Sequence, residues 1–241
     1  MIITMIGTGN AFAKQHYNNN ALIQQNSFNL LVDCGITLPH ALYEQGYSFD
    51  QLDGVLISHI HSDHVGGLES YAFQMMFRYK KKATLFIAES LVEPLWETSL
   101  KGGLVQGNFT SIEDYFNVIP LIPNTTYELA PDLHIKLIQT EHIPNKDSYS
   151  ILFNDTFFYS ADMTFNPQLL QQLVNDGVQT IYHDCQLESP GVVHTSLEEL
   201  LSLPDQLQQK IKLMHYGDTI GDYIGKTGLM EIVQQGIPST M

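Results

Sequence analysis

The stretch Ser58-His-Ile-His-Ser-Asp-His-Val-Gly-Gly67 places three of the chain's ten histidines and one aspartate within six positions, 59 to 64. Imidazole nitrogens and carboxylate oxygens are the ligand set of Zn2+, with Mn2+ and iron as alternatives. An apolar run, Gly54-Val-Leu-Ile-Ser58, comes just before it and reads as a strand buried on both faces. Residues two apart on extended backbone share a side, so His59 and His61 can converge on one ion. The chain then turns, and Asp63 and His64 fall where a helix at Gly66-Gly67 would begin, in reach of a second ion. A hydrogen-bonded turn of surface histidines is the plainer alternative. So dense a set of ligand types at the end of a buried strand argues against it.

Two ions need more ligands than one loop carries, and later strand ends supply them. Strand 133–140 runs into Glu141-His142, strand 156–160 into Ala161-Asp162, and strand 211–214 into His215. Taken singly, each is an ordinary capping or exposed polar residue. Together, each just behind an apolar strand, they form a set.

The elements that must position them follow from hydrophobic period and turn chemistry. Residues 2–6, 21–25 and 28–33 read as strands, with a hairpin turn at Gln25-Asn-Ser27. A helix over 37–46, strand 54–58, a helix over 66–79, strand 83–87 and a helix over 89–100 follow. Strands 117–122, 133–140, 148–153 and 156–160, helix 167–175, strand 178–183, helix 196–202 and strand 211–214 complete the order. Hairpins mixed with helical returns predict a layered α/β architecture. With 44% hydrophobic residues and no linker or repeat, the chain reads as a single domain over 1–241. The Met and aromatic stripe of residues 68–77 reads as core.

His59-x-His61-x-Asp63-His64, His142, Asp162 and His215 resemble the five motifs of the metallo-β-lactamase superfamily, from the first strand to about residue 218. The resemblance implies a four-layer αββα sandwich with its site at one edge of the paired sheets. It implies that His59, His61 and His142 hold one divalent metal and that Asp63, His64 and His215 hold the other. Asp162 would bridge them, Asp63 would be catalytic as well as metal-binding, and both ions are expected to be Zn2+ or else Mn2+. Two such ions about 3.5–4 Å apart activate water and neutralise charge on a leaving oxygen. Phosphodiester, lactone, thioester and lactam all suit that chemistry, and the fold does not choose among them.

Charge narrows the choice. With Lys plus Arg at 11 against 26 acids the net charge is −15, whereas long nucleic acid demands many cations. The one basic cluster, Arg78-Tyr-Lys-Lys-Lys82, reads as a helix end complementing the dipole. His194 in Val193-His-Thr-Ser-Leu-Glu-Glu199 is similar to the His-Ser/Thr segment of the ribonuclease Z-like branch, where it acts at the phosphate or leaving group. A departing alkoxide needs a proton, and a histidine beside the metals can give it. The alternative for His194 is a place beside a cap at Thr195 with Glu198 completing a capping box. His183 is expected to orient a ligand by a hydrogen bond, with plain burial a close competitor.

Ribonuclease Z carries a long basic arm between the third ligand motif and the bridging aspartate. Here His142 and Asp162 are 20 positions apart, room only for a hairpin. The whole, with the Gly7-Thr-Gly-Asn-Ala-Phe12 loop on the substrate side, is most similar to anti-Pycsar phosphodiesterases. That resemblance implies opening of 3′,5′-cyclic nucleotides, such as cCMP and cUMP, to 5′-monophosphates, and a role against a cyclic-nucleotide immune signal. It also implies a homodimer, to which the segment 101–118 with Phe109, Tyr115 and Phe116 could lend a loop, unless these aromatics simply pack. A tRNA 3′-processing endonuclease, a thioester or lactone hydrolase and a metal-binding scaffold are the alternatives. No run is long enough to span a membrane, no signal peptide opens the chain, and Cys34 and Cys185 form no CxxC. The expected setting is therefore a reducing cytoplasm, that of the host if the gene is a phage's.

Overall fold

The computed structural model describes all 241 residues. Its first half holds β1 (Ile2–Gly7), β2 (Asn20–Gln25), β3 (Phe28–Val32), α1 (Leu38–Glu44), β4 (Gly54–Ile57), α2 (Ser62–Val65), α3 (Leu68–Phe73), β5 (Ala83–Ala88), α4 (Glu89–Leu95), α5 (Lys101–Leu104) and β6 (Phe116–Leu121). The second holds β7 (Thr126–Ala130), β8 (Leu133–Gln139), β9 (Tyr149–Phe153), β10 (Phe157–Tyr159), α6 (Pro167–Asn175), β11 (Thr180–Asp184), α7 (Leu197–Leu201), α8 (Asp205–Gln208), β12 (Ile211–Met214), β13 (Glu231–Ile232) and β14 (Pro238–Thr240).

The strands form two seven-stranded mixed sheets, ordered β14-β1-β2-β3-β4-β5-β6 and β13-β12-β11-β10-β9-β8-β7. Side chains of the second sheet sort by their period of two. Ile151, Phe153, Phe157, Tyr159, Tyr182 and Met214 join the core shared with the first sheet. Leu152, Phe158, Ile181 and Leu213 join instead Leu170 and Leu173 of α6, Leu197 and Leu200 of α7 and Leu207 of α8. Adjacent residues on one strand thus serve opposite layers, as pleating requires. Two sheets face to face, with helices on the outside, make the αββα sandwich.

Strand direction gathers the site. β8 is antiparallel to β9 and β9 to β10, while β10, β11 and β12 are parallel. The C-terminal ends of β8, β10, β11 and β12 therefore lie along one edge. β4 of the other sheet meets that edge through a bridge between His59 and Ser148 and through the bond from Tyr149 N–H to the Ser58 carbonyl, 3.1 Å.

Several boundaries differ from the sequence reading. The helix expected from Gly66 begins earlier, so that Asp63 and His64 lie inside the single turn of α2. Gly66-Gly67 separates it from α3, which continues as a wider π turn over Gln74–Arg78. Pro94 has no N–H for the helix ladder, and the helix expected over 89–100 widens at Trp96–Leu100. Strands β7, β13 and β14 were not expected. β7 lacks a buried face, and the other two span only two and three residues. The aromatics of 101–118 pack inward. Tyr115 and Phe116 are buried, the Tyr115 hydroxyl donates to the Leu104 carbonyl at 2.8 Å, and Phe109 lies 5.0 Å from the Tyr115 ring.

Candidate metal centre

His59 leaves β4 in extended conformation, and His61, also extended at φ −127° and ψ 156°, precedes the first turn of α2. Their side chains meet, with His59 Nε2 3.0 Å from His61 Nδ1. His142, from the loop behind β8, brings its Nε2 to 3.2 Å from the same His61 atom. One Asp162 oxygen lies 3.7 Å from His59 Nε2 and 3.8 Å from His142 Nε2. That same Oδ2 is 3.2 Å from His64 Nε2 and 3.4 Å from His215 Nε2. Asp63 Oδ2 closes the second group, 3.4 Å from His64 and 3.3 Å from His215. His59, His61, His142 and Asp162 thus form one cluster, and Asp63, His64, His215 and Asp162 another, with Asp162 in both.

The outward nitrogens are held by the protein. Ser58 Oγ lies 3.0 Å from His59 Nδ1, Asp33 Oδ2 2.8 Å from His64 Nδ1, and the Val193 carbonyl 2.6 Å from His142 Nδ1. Each contact fixes a ring so that Nε2 points inward, the usual outer support of a metal-binding imidazole. Asp33 also accepts from the Ser58 N–H and Oγ–H, both at 2.8 Å. Two close approaches position this loop. The Cys34 N–H donates to the His64 carbonyl at 2.6 Å, and a Cβ at Gly35 would run into the Asp63 carbonyl. Asp33, Ala161 and His215 all adopt left-handed backbone, φ 62°, 51° and 57°. Strained backbone of this kind concentrates where a site fixes side-chain direction.

Electrostatics match the donor set to cations. Burial, aided by the neighbouring His64, drives His59 well below its ordinary pKa, and burial with His142 beside it takes His61 down to about 4. His142 is lowered by burial too. Burial alone would raise Asp63 and Asp162, but His64 and His215 hold both below the usual carboxylate range. Neutral imidazoles and ionised carboxylates are the forms that bind metal. Burial would lower His64 as well, yet the charges of Asp162, Asp63 and Asp33 hold it well above its ordinary value. Three carboxylates therefore demand positive charge at that point. His64 Nε2 and Asp162 Oδ1 are buried without a hydrogen-bond partner. Such atoms are costly unless something satisfies them, and a divalent cation does so.

His194 belongs to neither of these two clusters but, with Asp162, Asp184 and His215, forms a third group whose ligand atoms lie within 4.8 Å of one another. Its Nδ1 is 3.1 Å from Asp184 Oδ2 and 3.8 Å from Asp162, and its ring stacks on His215 at 4.9 Å. Burial alone would lower it, but the hydrogen bond with Asp184 and the charge of Asp162 raise it to about 9. The helix behind it is capped one residue later than the sequence suggested. Ser196, paired with Glu199, forms the capping box, while the Thr195 hydroxyl donates to the Met163 carbonyl at 3.1 Å. His183 is fully buried and touches Asp184, its Nδ1 2.9 Å from the Asp184 carbonyl and 3.1 Å from Oδ1. It meets no residue of the two clusters in this way, so any influence passes through Asp184. Two functional residues escaped the sequence reading, Asp33 and Asp184. Each ends or follows a strand, β3 and β11, as the recognised residues do. A search for every acid at a strand end would have found them.

The free thiols Cys34 and Cys185 are buried apart, and no helix is long and apolar enough to cross a membrane.

Comparison with known proteins points one way. The family model described as "Anti-Pycsar protein Apyc1" matches residues 1–238. The protein of that name from Paenibacillus harenae is 62% identical over 234 residues, 97% of each chain. Its namesake from Bacillus phage vB_BsuM-Goe3 is 41% identical over an alignment of 250 positions that covers 97% of this chain and 96% of the phage protein. Among solved structures, the metallo-β-lactamase fold protein YhfI of Bacillus subtilis superposes with a TM-score of 0.78 at 17% identity, covering 99% of this chain and 98% of that one. A diphosphatase of the PhnP family gives 0.76 at 14% identity, covering 100% and 97%. The short form of human tRNase Z gives 0.71, also at 14%, covering 100% and 99%. At such identities the structures speak for the fold.

Proposed function

We infer the activity from family and site together: the chain belongs to the anti-Pycsar Apyc1 family, and its residues suit hydrolysis of a small phosphodiester. The reading is that of a metal-dependent phosphodiesterase, a single domain over 1–241. It opens 3′,5′-cyclic nucleotides, cyclic pyrimidine mononucleotides among them, to 5′-monophosphates, and so lowers an immune signal inside the cell. The observation that carries it is Asp162, whose one oxygen faces two converging ligand groups.

Two divalent ions held there, Zn2+ or Mn2+, would supply an activated water and screen the phosphate's charge. His59, His61 and His142 are assigned to one ion, Asp63, His64 and His215 to the other, and Asp162 to both. The rest falls to the chain's own side chains. Asp63 keeps its carboxylate ionised at the metals. His194 donates a proton to the departing O3′ as the P–O3′ bond breaks. Asp184 accepts from His194 Nδ1, which fixes the ring and favours its protonated form. His183 packs behind Asp184 and steadies it. The acidic chain, net charge −15, suits a small substrate better than an RNA. A homodimer in the cytoplasm, the host's if the gene is a phage's, completes the reading.

The test is a substrate panel. Metal-analysed protein is incubated with cCMP, cUMP, cAMP, cGMP, a linear dinucleotide and a precursor tRNA, and products are separated by chromatography. EDTA-sensitive opening of the mononucleotides is expected. Cleavage confined to the tRNA, or to added thioesters and lactones, would overturn the reading.

A further inference from the structure

Two cavities open on the metal centre. One, of about 380 Å³, is lined by His59, His61 and His142 together with Ser90, Asn145 and Lys146. The other, of about 250 Å³, is lined by Asn10, Phe12, Gln186, Glu188, His194 and His215. Phe12 is 85% exposed, the most solvent-open of the large apolar side chains. Its place in the lining of a cavity beside His194 and His215, rather than its exposure, is what puts this aromatic face within reach of a ligand.

The loop that carries it is not loose. The Asn10 side chain accepts from the N–H groups of Phe12 and Ala13, both at 3.0 Å. The Asn10 N–H donates to the carbonyl of Tyr216, next to His215, at 3.1 Å. The Asp218 carboxylate accepts from the N–H groups of Lys14 at 2.8 Å and Gln15 at 2.9 Å. The backbone that carries Phe12 is therefore held from the same strand end that presents His215.

Reaction geometry decides which cavity takes the nucleoside. In-line displacement puts the leaving oxygen opposite the incoming water, and a general acid must stand at the leaving oxygen. His194 lines the smaller cavity. In a 3′,5′-cyclic phosphate both ester oxygens belong to the ribose, so the sugar and its base lie on the leaving-oxygen side.

We propose that the nucleobase enters the smaller cavity and stacks on Phe12, the larger cavity lying on the opposite side of the phosphate. The assignment rests on the cyclic-nucleotide reading above. Every base has a π face, so the gain is shared by pyrimidines and purines. Phe12 touches the base and not the reacting atoms, so its contribution is to binding.

Steady-state kinetics of wild type, Phe12→Ala and Phe12→Trp test it on cCMP, cAMP and trimethylene phosphate, a six-membered cyclic phosphodiester without a base. Phe12→Ala is expected to raise KM for both nucleotides by about 5- to 150-fold and to leave kcat near wild type. Phe12→Trp restores KM, and the base-free ester is turned over alike by all three proteins. Wild-type KM on both nucleotides in Phe12→Ala overturns the proposal. So does an equal loss on the base-free ester, which would mark Phe12 as a support of the loop. A wild type that opens trimethylene phosphate and neither nucleotide overturns the parent reading, and this assignment with it.

Discussion

The two halves of the metal centre are built differently. The half behind β4 comes from one short piece of chain, with His59, His61, Asp63 and His64 fixed by a strand end, an extended step and one helical turn. The half behind β8, β10, β11 and β12 takes one residue from each strand end, and His142, Asp162, Asp184 and His215 span more than 70 positions. The first half owes its shape to local backbone, the second to strand order. Asp162 belongs to the dispersed half and faces both ligand groups, and the halves also meet where His142 lies 3.2 Å from His61 and His215 lies 3.3 Å from Asp63. Substitutions in the two halves should therefore fail in different ways.

The largest effect is expected at the shared Asp162. Asp162→Ala leaves both ligand groups short, so metal analysis should find fewer than two ions per chain. Turnover should fall by at least about 10³-fold, since the ions supply several kcal/mol of charge stabilisation. Full metal content in that variant would break the comparison at its centre. Next comes His194→Gln, which leaves both clusters intact. It should keep its metal and lose about 10²–10⁴-fold in kcat, the usual range for a general acid. A substrate whose leaving group needs no proton, such as a 4-nitrophenyl phosphodiester, should suffer much less, and an equal loss on both would remove the acid role.

A paired experiment sharpens the contrast. Asp33→Asn weakens the support of His64, so metal affinity should drop by about 10–100-fold, read by competition with a chromophoric chelator. Asp184→Asn weakens the support of His194, so metal affinity should hold while kcat falls. The same phenotype from both would mean that the two supports are not separate. The smallest change is Gly35→Ala, which drives a Cβ against the Asp63 carbonyl. Overpacking of this sort costs about 1–3 kcal/mol, several degrees in Tm for a chain of this size.

The same division explains what could be read from sequence. His59 to His64 is legible because ligand spacing and an apolar strand lie side by side. His142, Asp162 and His215 become legible once that loop demands partners, because each sits just behind an apolar strand. Asp33 and Asp184 are not legible from sequence, because neither falls in a run with metal-ligand spacing. Their meaning comes from β3 lying beside β4 and β11 beside β10, pairings that only topology supplies. Periodicity yields layers of helices and strands, yet the assignment of Ile181 to one layer and Tyr182 to the other needs the sheet order as well. Local accounting also slipped by one residue at the cap behind His194, where Thr195 and Ser196 offer the same chemistry. Phe12 is a further case, since its exposure is a property of the folded loop.

Two converging ligand groups, joined at Asp162, are proposed to carry out the opening of a cyclic nucleotide. The most direct test is to strip the protein with chelator, restore Zn2+ or Mn2+ in measured steps, and follow cCMP by 31P NMR. Stripped protein should show no turnover, and activity should saturate at two ions per chain, with cytidine 5′-monophosphate as the product. Saturation at one ion, or two bound ions with cCMP left intact, would contradict the proposal.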